Sequence, residues 1–450
     1  MQHTMTRRAM QRFLATPGVL LSPAALAATG CSIGAQPPKS TGEAQGSLFW
    51  YRLQNPVHTP YFDQQLAGFQ AKYPKVQIVA EESSGAAWNA KYVTMAATDT
   101  APDVFWLQQS NNTNAGNSVE FWASRGLILD FEPHFARGTL KRDDYLPGAL
   151  DHFKYEQKVW GTPFEIFQII MYVNTTLLRR SGVEPPKPTW TYQDALRIAQ
   201  QVQRGSGPEA EQYGWDARSW QAHVVQYGGK LADATGSTMP LNTPQTIAAI
   251  QFLQDLFQRH RAGPRGEGMG EFTDFARGKV ALFYHGNYQF DVYKKVNFDW
   301  MATTYPAGPG PAGANRAGHQ GVNVWSVSKA SKNPDAAVAL ATYLGYGEGA
   351  DAWVSSGRVS PLKRFEVPYY TKIQDLSPAQ AEQYRQVLNM TFENIKNKQI
   401  FGWPTFKNGK SWNDVSGAAG KEITLALDGQ RSAQDSVKAA EQAANAIIAG

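Results

Sequence analysis

Residues 102–107 read PDVFWL, and this stretch decides the fold class. Its four apolar residues do not alternate with polar ones, which is typical of a strand buried on both faces of a parallel sheet. Residues 48–51 form a similar apolar run, and residues 76–80 alternate as a half-buried strand does. Between them, apolar residues recur at helical spacing over 61–69 until Pro74 ends the pattern. The sequence therefore predicts a β-α-β unit and an α/β fold.

Polar side chains follow two of these apolar runs. Arg52 and Asn55 come after the first run, and Gln108 and Gln109 come after the PDVFWL stretch. Ligands of open α/β sheets bind beyond the carboxyl ends of the strands. We expect these four side chains to face a binding crevice.

Helix starts are marked later in the chain. Thr191 and Asp194 have the spacing of a capping box, and Thr243 precedes a proline at the first helical position. Asn333 precedes a proline in the same way. Residues 261–270 and 306–318 are rich in Gly and Pro and are predicted as loops.

The first thirty residues have the pattern of an export leader. Arg7, Arg8 and Arg12 precede an apolar stretch over 13–28 that contains two prolines and a glycine. This stretch is too short and too broken for a permanent transmembrane helix. Residues 1–30 are therefore predicted as a signal peptide. Both the general secretory route and the twin-arginine route remain open.

Cys31 is the only cysteine and directly follows this leader. Cleavage before Cys31 would resemble lipoprotein processing, in which the cysteine is acylated. Residues 31–46 are mainly small and polar, which favours a flexible tether. No later apolar run approaches eighteen residues, so the chain is not a permease. We expect an exported protein at the outer face of the cytoplasmic membrane, in the periplasm or at the cell surface, that touches the membrane through its lipid anchor only.

Charge and length narrow the class of protein. The formal net charge of +5 falls to +2 once the three leader arginines are removed, and no basic cluster with interleaved aromatics occurs. Nucleic acid is therefore not expected as a partner. A single cysteine excludes an intrachain disulfide framework. About four hundred residues follow the tether, which predicts two domains.

Short motifs in a fixed order extend over nearly the whole mature chain. They are APDV at 101–104, WGTP at 160–163, MYVN at 171–174, PKPTW at 186–190, FARGKVA at 275–281 with Gly286, and LDGQ at 427–430. In this order they resemble the bacterial extracellular solute-binding proteins of carbohydrate ABC importers. The resemblance implies a two-lobed periplasmic-binding-protein fold of type II, with multiple hinge crossings and the ligand in the cleft between the lobes.

The resemblance also implies lobe boundaries and partners. The first lobe is predicted to comprise residues 47–163 and 319–358, and the second lobe residues 164–318 and 359–450. A sugar, either a monosaccharide or an oligosaccharide, is the expected ligand, and the membrane permease subunits of an ABC importer are the expected protein partners. We expect a monomer with no cofactor and no metal site.

The aromatic content agrees with a sugar ligand. Thirteen tryptophans offer flat apolar faces for sugar C–H surfaces, and abundant Asn and Gln offer amides for hydroxyls. Tryptophans inside or beside apolar runs are predicted to be core, namely Trp50, Trp106, Trp122, Trp300 and Trp325. The candidates for ligand contact are Trp88, Trp220, Trp403 and Trp412, and of the last two we expect one to stack on the sugar.

The polar candidates lie where the resemblance places the crossings between lobes and the turn after the strand over 280–284. A carboxylate at a crossing can accept two sugar hydroxyls, which favours Glu165 because apolar residues surround it in sequence. His319 lies on the return crossing. The complete set of polar candidates in these regions is Glu165, Gln168, His285, Asn287, Tyr288, Gln320, Asn323 and Arg358.

Catalysis is the main alternative. The chain has no HExxH, no cysteine pair, no GxSxG and no phosphate loop ending in Gly-Lys-Ser/Thr. A glycosidase would need two carboxylates across one site, such as Glu165 with Asp103 or Asp216, and their spacing does not support this pairing. We therefore expect no enzyme. A solute-binding protein for glycerol phosphate and a surface adhesin are further alternatives.

Overall fold

The computed structural model describes residues 44–54, 58–83, 85–98, 100–109, 116–207, 210–217, 219–264, 273–365, 376–404, 406–407, 410 and 412–450. The predicted signal peptide, Cys31, most of the tether and Asn55 lie outside the described residues. Residues 265–270 of one predicted loop lie outside them as well.

The strands form one large mixed sheet and a small hairpin. They are β1 (Gly46–Leu53), β2 (Val76–Ser83), β3 (Val104–Gln109), β4 (Lys154–Tyr155), β5 (Lys158–Val159), β6 (Thr162–Asn174), β7 (Tyr213–Asp216), β8 (Val280–Gly286), β9 (Trp300–Thr303), β10 (Gly318–Val327) and β11 (Ile400–Phe401). The sheet order is β2-β1-β3-β10-β6-β8-β7, with β11 paired to β10 and β9 paired to β6. Strand β1 is parallel to both β2 and β3, which confirms the predicted β-α-β unit.

Helices cover the sheet. They are α1 (Thr59–Lys72), α2 (Gly85–Ala97), α3 (Val119–Ser124), α4 (Glu132–Ala136), α5 (Thr175–Arg180), α6 (Tyr192–Val202), α7 (Trp220–Gln226), α8 (Pro244–Gln254), α9 (Thr273–Ala276), α10 (Phe290–Tyr293), α11 (Pro334–Gly345), α12 (Gly349–Ser355), α13 (Pro378–Lys396), α14 (Trp412–Leu427) and α15 (Ala433–Ala449). Short 3₁₀ turns lie at Arg142–Asp144, Ala149–Phe153, Asn287–Gln289 and Lys363–Phe365, and α8 continues into a π turn at Asp255–Arg259.

Two of the three predicted helix caps are confirmed. Thr191 and Asp194 form a complete capping box at the start of α6. The Thr243 hydroxyl accepts a hydrogen bond from the Thr246 backbone at the start of α8. Asn333 occupies the N-cap position of α11 and Pro334 begins the helix, as predicted, but the Asn333 side chain makes no capping bond. Its amide instead donates to the carbonyl of Ser47 at 2.9 Å, which connects the helix start to β1.

Strand β6 connects two parts of the sheet. Its residues 162–168 pair with β10, whereas residues 169–174 pair with β8 and β9. Strand β10 also pairs with β3 through residues 322–327. The side chains near residue 168 therefore lie where the two parts of the sheet join.

The apolar side chains form two hydrophobic cores. The first surrounds β1, β3 and α1, and the second surrounds α6, α8, α14 and α15. The five tryptophans predicted to be core are confirmed, since none is more than 4% exposed. In the first core, the ring centroids of Trp106 and Phe164 are 5.1 Å apart with planes at 88°, an edge-to-face arrangement that aromatic pairs prefer.

Membrane-spanning helices and metal-binding clusters are both absent from the described residues. In this part of the chain, no helix combines the length and apolarity that a membrane crossing requires. The same residues contain no group of three or more His, Cys, Asp or Glu side chains placed to hold a metal ion.

Candidate ligand-binding site

Two neighbouring cavities lie where β3, β6, β8 and β10 meet. The first has a volume of about 420 Å³, and the second about 310 Å³. The first is lined by Gln108, Gln109, Asp151, His152, Lys154, Phe167, His319, Gln320, Gly321, Val322, Ile400, Phe401, Gly402 and Trp403. The second is lined by Ile169, Asp216, Ser219, Ala222, Phe283, Tyr284, His285, Tyr288, His319 and Trp403. Both volumes fall in the range of about 300–1,000 Å³ that small-molecule sites have.

The end of β3 supplies amides to the first cavity, as the sequence predicts. The Gln108 side-chain oxygen accepts a hydrogen bond from the Asn117 amide at 3.1 Å. The Gln109 amide donates to the backbone carbonyl of Lys154, which joins the end of β3 to the start of β4. These contacts hold the two amides at one edge of the cavity.

A glycine lets an aromatic ring lie over β10 in this cavity. A Cβ atom on Gly321 would come within 2.0 Å of the Phe167 ring. The absence of a side chain at Gly321 therefore allows Phe167 to cover the strand and line the cavity. Substitution by alanine would displace this ring.

A stack of aromatic rings forms the wall shared by the two cavities. Trp403 stacks on His319 with ring centroids 4.0 Å apart and planes at 18°. Trp412 stacks on the other side of Trp403 at 4.7 Å and 13°, and Phe406 lies beyond it. Trp403 lines both cavities, whereas Trp412 is buried behind it. Of the two rival tryptophans, Trp403 thus lines the cavities, and Trp412 packs against it from behind.

One ion pair lies beside the first cavity. The Lys154 ammonium contacts the Asp151 carboxylate at 2.7 Å. The hydrogen bond from Lys154 holds the pKa of Asp151 below its ordinary value. Because these lining charges have opposite signs and are paired, they leave no excess charge for an anionic ligand.

The second cavity combines hydroxyl and imidazole groups with aromatic surface. The Tyr284 hydroxyl donates to the backbone carbonyl of Ser219 at 3.1 Å. The His285 ring stacks on Phe283, with centroids 5.4 Å apart, and its Nδ1 accepts a hydrogen bond from the Gly286 backbone. Tyr288 packs edge-on against His285. His285 and Tyr288 were both candidates from the sequence.

Three further candidates form a buried polar cluster. An Arg358 guanidinium nitrogen lies 3.0 Å from a carboxylate oxygen of Glu165, and the Asn323 amide donates to the other oxygen at 2.9 Å. Arg358 also contacts His58, whose pKa is lowered to about 2 by burial and by the arginine charge. Glu165, Asn323 and Arg358 are all buried and lie outside the lining of the two cavities. Their hydrogen bonds to one another could not be read from the sequence.

Another set of candidates connects β6 to helix α13. The Gln168 side-chain oxygen accepts from the Asn394 amide at 2.9 Å, and its own amide donates to Gln320 at 3.4 Å. The Asn287 amide donates to the Thr391 hydroxyl at 3.1 Å. Gln168, Asn287 and Gln320 were candidates from the sequence, and of these three only Gln320 lines a cavity.

The remaining described candidates are buried and line neither cavity. Arg52 is buried and pairs with Glu82 at 2.6 Å. Trp88 packs edge-on against Trp106, with ring centroids 6.5 Å apart. Trp220 is 7% exposed and belongs to the second core.

Sequence reasoning missed several residues that line the cavities. Asp151, His152 and Lys154 come from a 3₁₀ turn and a two-residue strand, which are too short to show a periodic pattern. Phe167 lies between the candidates Glu165 and Gln168 in the sequence, and Phe401 lies two residues before the candidate Trp403. That proximity is the one signal that would have found them.

Comparison with known proteins gives matches over most of the chain. A family model described as "Bacterial extracellular solute-binding protein" matches residues 55–345. The maltodextrin-binding protein MdxE of Bacillus subtilis (strain 168) is 22% identical over 229 residues, covering 47% of this chain and 51% of MdxE. The sn-glycerol-3-phosphate-binding periplasmic protein UgpB of Yersinia enterocolitica is 22% identical over 250 residues, covering 50% of this chain and 54% of UgpB. The chain thus spans about half the length of the curated relatives it matches.

Solved structures match a larger share of this chain than the curated relatives do. The ABC substrate-binding protein Lmo0181 from Listeria monocytogenes, in complex with cycloalternan, superposes with a TM-score of 0.73 at 19% identity. The match covers 90% of this chain and 99% of Lmo0181. It confirms the predicted two-lobed α/β fold.

Proposed function

Because the chain belongs to the bacterial extracellular solute-binding protein family, we propose that it captures a sugar in the two adjoining cavities. The observation that carries this proposal is the Trp403 ring, which is supported by Trp412 and lines both cavities. A sugar presents apolar C–H groups, which can pack against the part of the ring that His319 and Trp412 leave uncovered. The relatives agree in kind, since MdxE is named for maltodextrin and Lmo0181 was solved with cycloalternan.

The amides complete the chemistry that a sugar requires. Gln108, Gln109 and Gln320 line the first cavity, and amide groups both donate to and accept from hydroxyls. Each sugar hydroxyl that leaves water needs such a partner, since an unsatisfied buried polar group costs about 1–3 kcal/mol. The aromatic surface and the amide groups therefore recognise the apolar C–H groups and the hydroxyls of a sugar together.

Glycerol phosphate is the second candidate ligand, because UgpB is named for it. The first cavity argues against this candidate. Its lining lysine, Lys154, is already paired with Asp151 at 2.7 Å. A phosphate in this cavity would meet the Asp151 carboxylate as well as the lysine, so we favour the uncharged sugar.

We propose a binding role without catalysis. A glycosidase needs a pair of carboxylates on either side of the scissile bond. Glu165, the first candidate for such a pair, is bound by Arg358 and Asn323 and lies outside both cavity linings. The relatives named above are binding proteins by their names, which agrees with this proposal.

The cellular role is also a proposal. We propose that the chain is exported and acylated at Cys31, and that it delivers its sugar as a monomer to the permease subunits of an ABC importer. The leader and tether composition support export and anchoring, and family membership supports the permease partnership. The predicted lobe boundaries, near residues 163, 318 and 358, are part of this proposal.

Calorimetry with a matched pair of variants tests the proposed function. Mass spectrometry of co-purified ligand and a thermal-shift screen would first identify the sugar. Trp403→Ala is expected to weaken sugar binding at least tenfold, a loss of about 1.4 kcal/mol, because the variant removes the ring that lines both cavities. Trp160→Ala is the control, because Trp160 is also partly exposed but lines neither cavity. Equal affinity in wild type and Trp403→Ala would refute the assignment of the site.

A further inference from the structure

The two cavities meet at one wall. Among the described lining residues, His319 and Trp403 are common to both cavities. The two rings are parallel within 18° and 4.0 Å apart at their centroids. Trp403 offers apolar ring atoms at this wall, outside the faces that His319 and Trp412 cover. His319 is the polar group of the pair.

The His319 ring has aromatic neighbours. Besides Trp403, the rings of Phe167 and Phe401 lie with centroids 5.8 Å from it. Neither nitrogen of His319 makes a hydrogen bond to any residue in the described part of the chain. The phenylalanine rings have no conventional hydrogen-bonding group to offer. The ring is partly exposed, so its nitrogens remain available to a ligand in the cavities.

Burial lowers the pKa of His319 to about 3. The imidazole is therefore neutral at physiological pH and carries one N–H donor and one nitrogen acceptor. A sugar hydroxyl can use either group. A neutral ring also stacks on Trp403 without a desolvated charge.

We infer that one uncharged oligosaccharide occupies both cavities, with at least one sugar unit in each, and that His319 hydrogen-bonds to it where it passes the shared wall. This inference rests on the proposed sugar-binding function and deepens it. Each cavity has a volume of 310 Å³ or more and its own polar groups. A monosaccharide in one cavity would leave the polar groups of the other unused by the ligand.

The two cavities differ in most of their lining residues, so binding in each cavity can be tested with its own variant. Gln108 lines the first cavity only, and His285 lines the second cavity only. A ligand that spans both cavities is expected to lose about threefold to tenfold in affinity from Gln108→Ala and from His285→Ala alike, since each removes about one hydrogen-bonding partner. A ligand confined to one cavity would respond to one of these variants and not to the other.

Calorimetry with a defined sugar panel is the experiment. The probes are glucose, mannose and galactose, each with its disaccharide and trisaccharide. At least one trisaccharide is expected to bind ten times more tightly than its monosaccharide. His319→Phe keeps a ring for stacking and removes both nitrogens, so it is expected to weaken that trisaccharide about tenfold. His260→Phe is the control, because His260 lines neither cavity.

Each outcome decides one question. If no sugar of the panel binds to the wild type, the proposed function fails and the inference fails with it. If a sugar binds but its monosaccharide is as tight as its trisaccharide, the inference alone is wrong. The inference is also wrong if the trisaccharide responds to only one of Gln108→Ala and His285→Ala, or if His319→Phe binds it with wild-type affinity. The chain-length comparison uses the wild type and holds even if a variant fails to fold.

Discussion

At the scale of single residues, the tryptophans divide into packing and binding roles by their surroundings. Trp220 and Trp403 were equal candidates for ligand contact in the sequence. Trp220 is 7% exposed within the second core, whereas Trp403 lines both cavities. Polar residues flank Trp220 in the sequence and gave no sign of this burial. The burial results from the packing of α7 against helices that are distant in sequence.

Truncation of the two tryptophans is expected to separate these roles. Trp220→Ala is expected to lower the free energy of unfolding by about 3–5 kcal/mol, as removal of a core tryptophan does. Trp403→Ala is expected to lower it by less, because that ring is partly exposed. Urea denaturation of both variants measures the difference. A larger loss in Trp403→Ala than in Trp220→Ala would contradict the division.

Buried histidines are expected to make the fold sensitive to acid. His223 is 2% exposed, and burial lowers its pKa to about 3 from an ordinary value of 6.5. Below pH 6.5 the unfolded chain therefore binds a proton at His223 that the folded protein does not. The free energy of unfolding falls as the pH falls from about 7.5 toward 3, and His223 contributes almost no pH dependence above that range. The expected loss between pH 7 and pH 5 is about 2 kcal/mol from this residue.

Urea denaturation at pH 7 and pH 5 checks this expectation. In His223→Gln the drop in stability between the two pH values is expected to be smaller by about 2 kcal/mol. His260→Gln, at a partly exposed histidine, is the matched control and is expected to keep the wild-type drop. A His223→Gln variant with the full wild-type drop would show that other groups cause the acid sensitivity.

At the scale of helices and strands, local patterns predicted what local interactions determine. The capping box at Thr191 and the cap at Thr243 were readable because each closes within three residues. The helix start at Asn333 was also predicted correctly, but its amide bonds to Ser47, far away in sequence, instead of capping the helix. The apolar run predicted β3 but ended it at Leu107, whereas the strand continues to Gln109. Gln108 and Gln109 line the first cavity.

The rest of the site depends on long-range packing. The shared wall stacks His319 of β10 on Trp403 of a later loop, and no local pattern connects these positions. The Glu165–Arg358 pair likewise joins β6 to the segment after α12. Asp151 and Lys154 come from elements too short to have a period. Sequence reasoning therefore found strand ends and aromatic candidates, and the three-dimensional structure was needed to sort them.

The capping box at Thr191 allows the contribution of a local cap to stability to be measured. Thr191→Ala removes the hydroxyl that accepts from the Asp194 backbone, and is expected to lower the free energy of unfolding by about 0.5–2 kcal/mol. Thr191→Ser keeps that hydroxyl and is the matched control. Thermal or urea denaturation measures both. If alanine and serine variants were equally stable, the cap would contribute nothing to the folded state.

At the scale of the whole molecule, the proposal joins a sugar-binding domain to a membrane anchor. Cys31→Ser removes the thiol that would carry the lipid, so the protein is expected to move from the membrane fraction to the soluble fraction. Fractionation of cells followed by immunoblotting measures this. A serine variant of another residue in the tether region, such as Ala35→Ser, is the control and is expected to stay with the membranes. Membrane retention of Cys31→Ser would refute the lipid anchor.

We propose that a sugar binds at the wall formed by His319 and Trp403. The most direct measurement is a crystal structure of the protein with the sugar that mass spectrometry identifies as its co-purified ligand. We expect a sugar ring packed against the uncovered part of the Trp403 ring, with hydroxyls bonded to His319 and to the amides of Gln108 or Gln320. A sugar bound elsewhere on the molecule, with both cavities empty of it, would contradict the account.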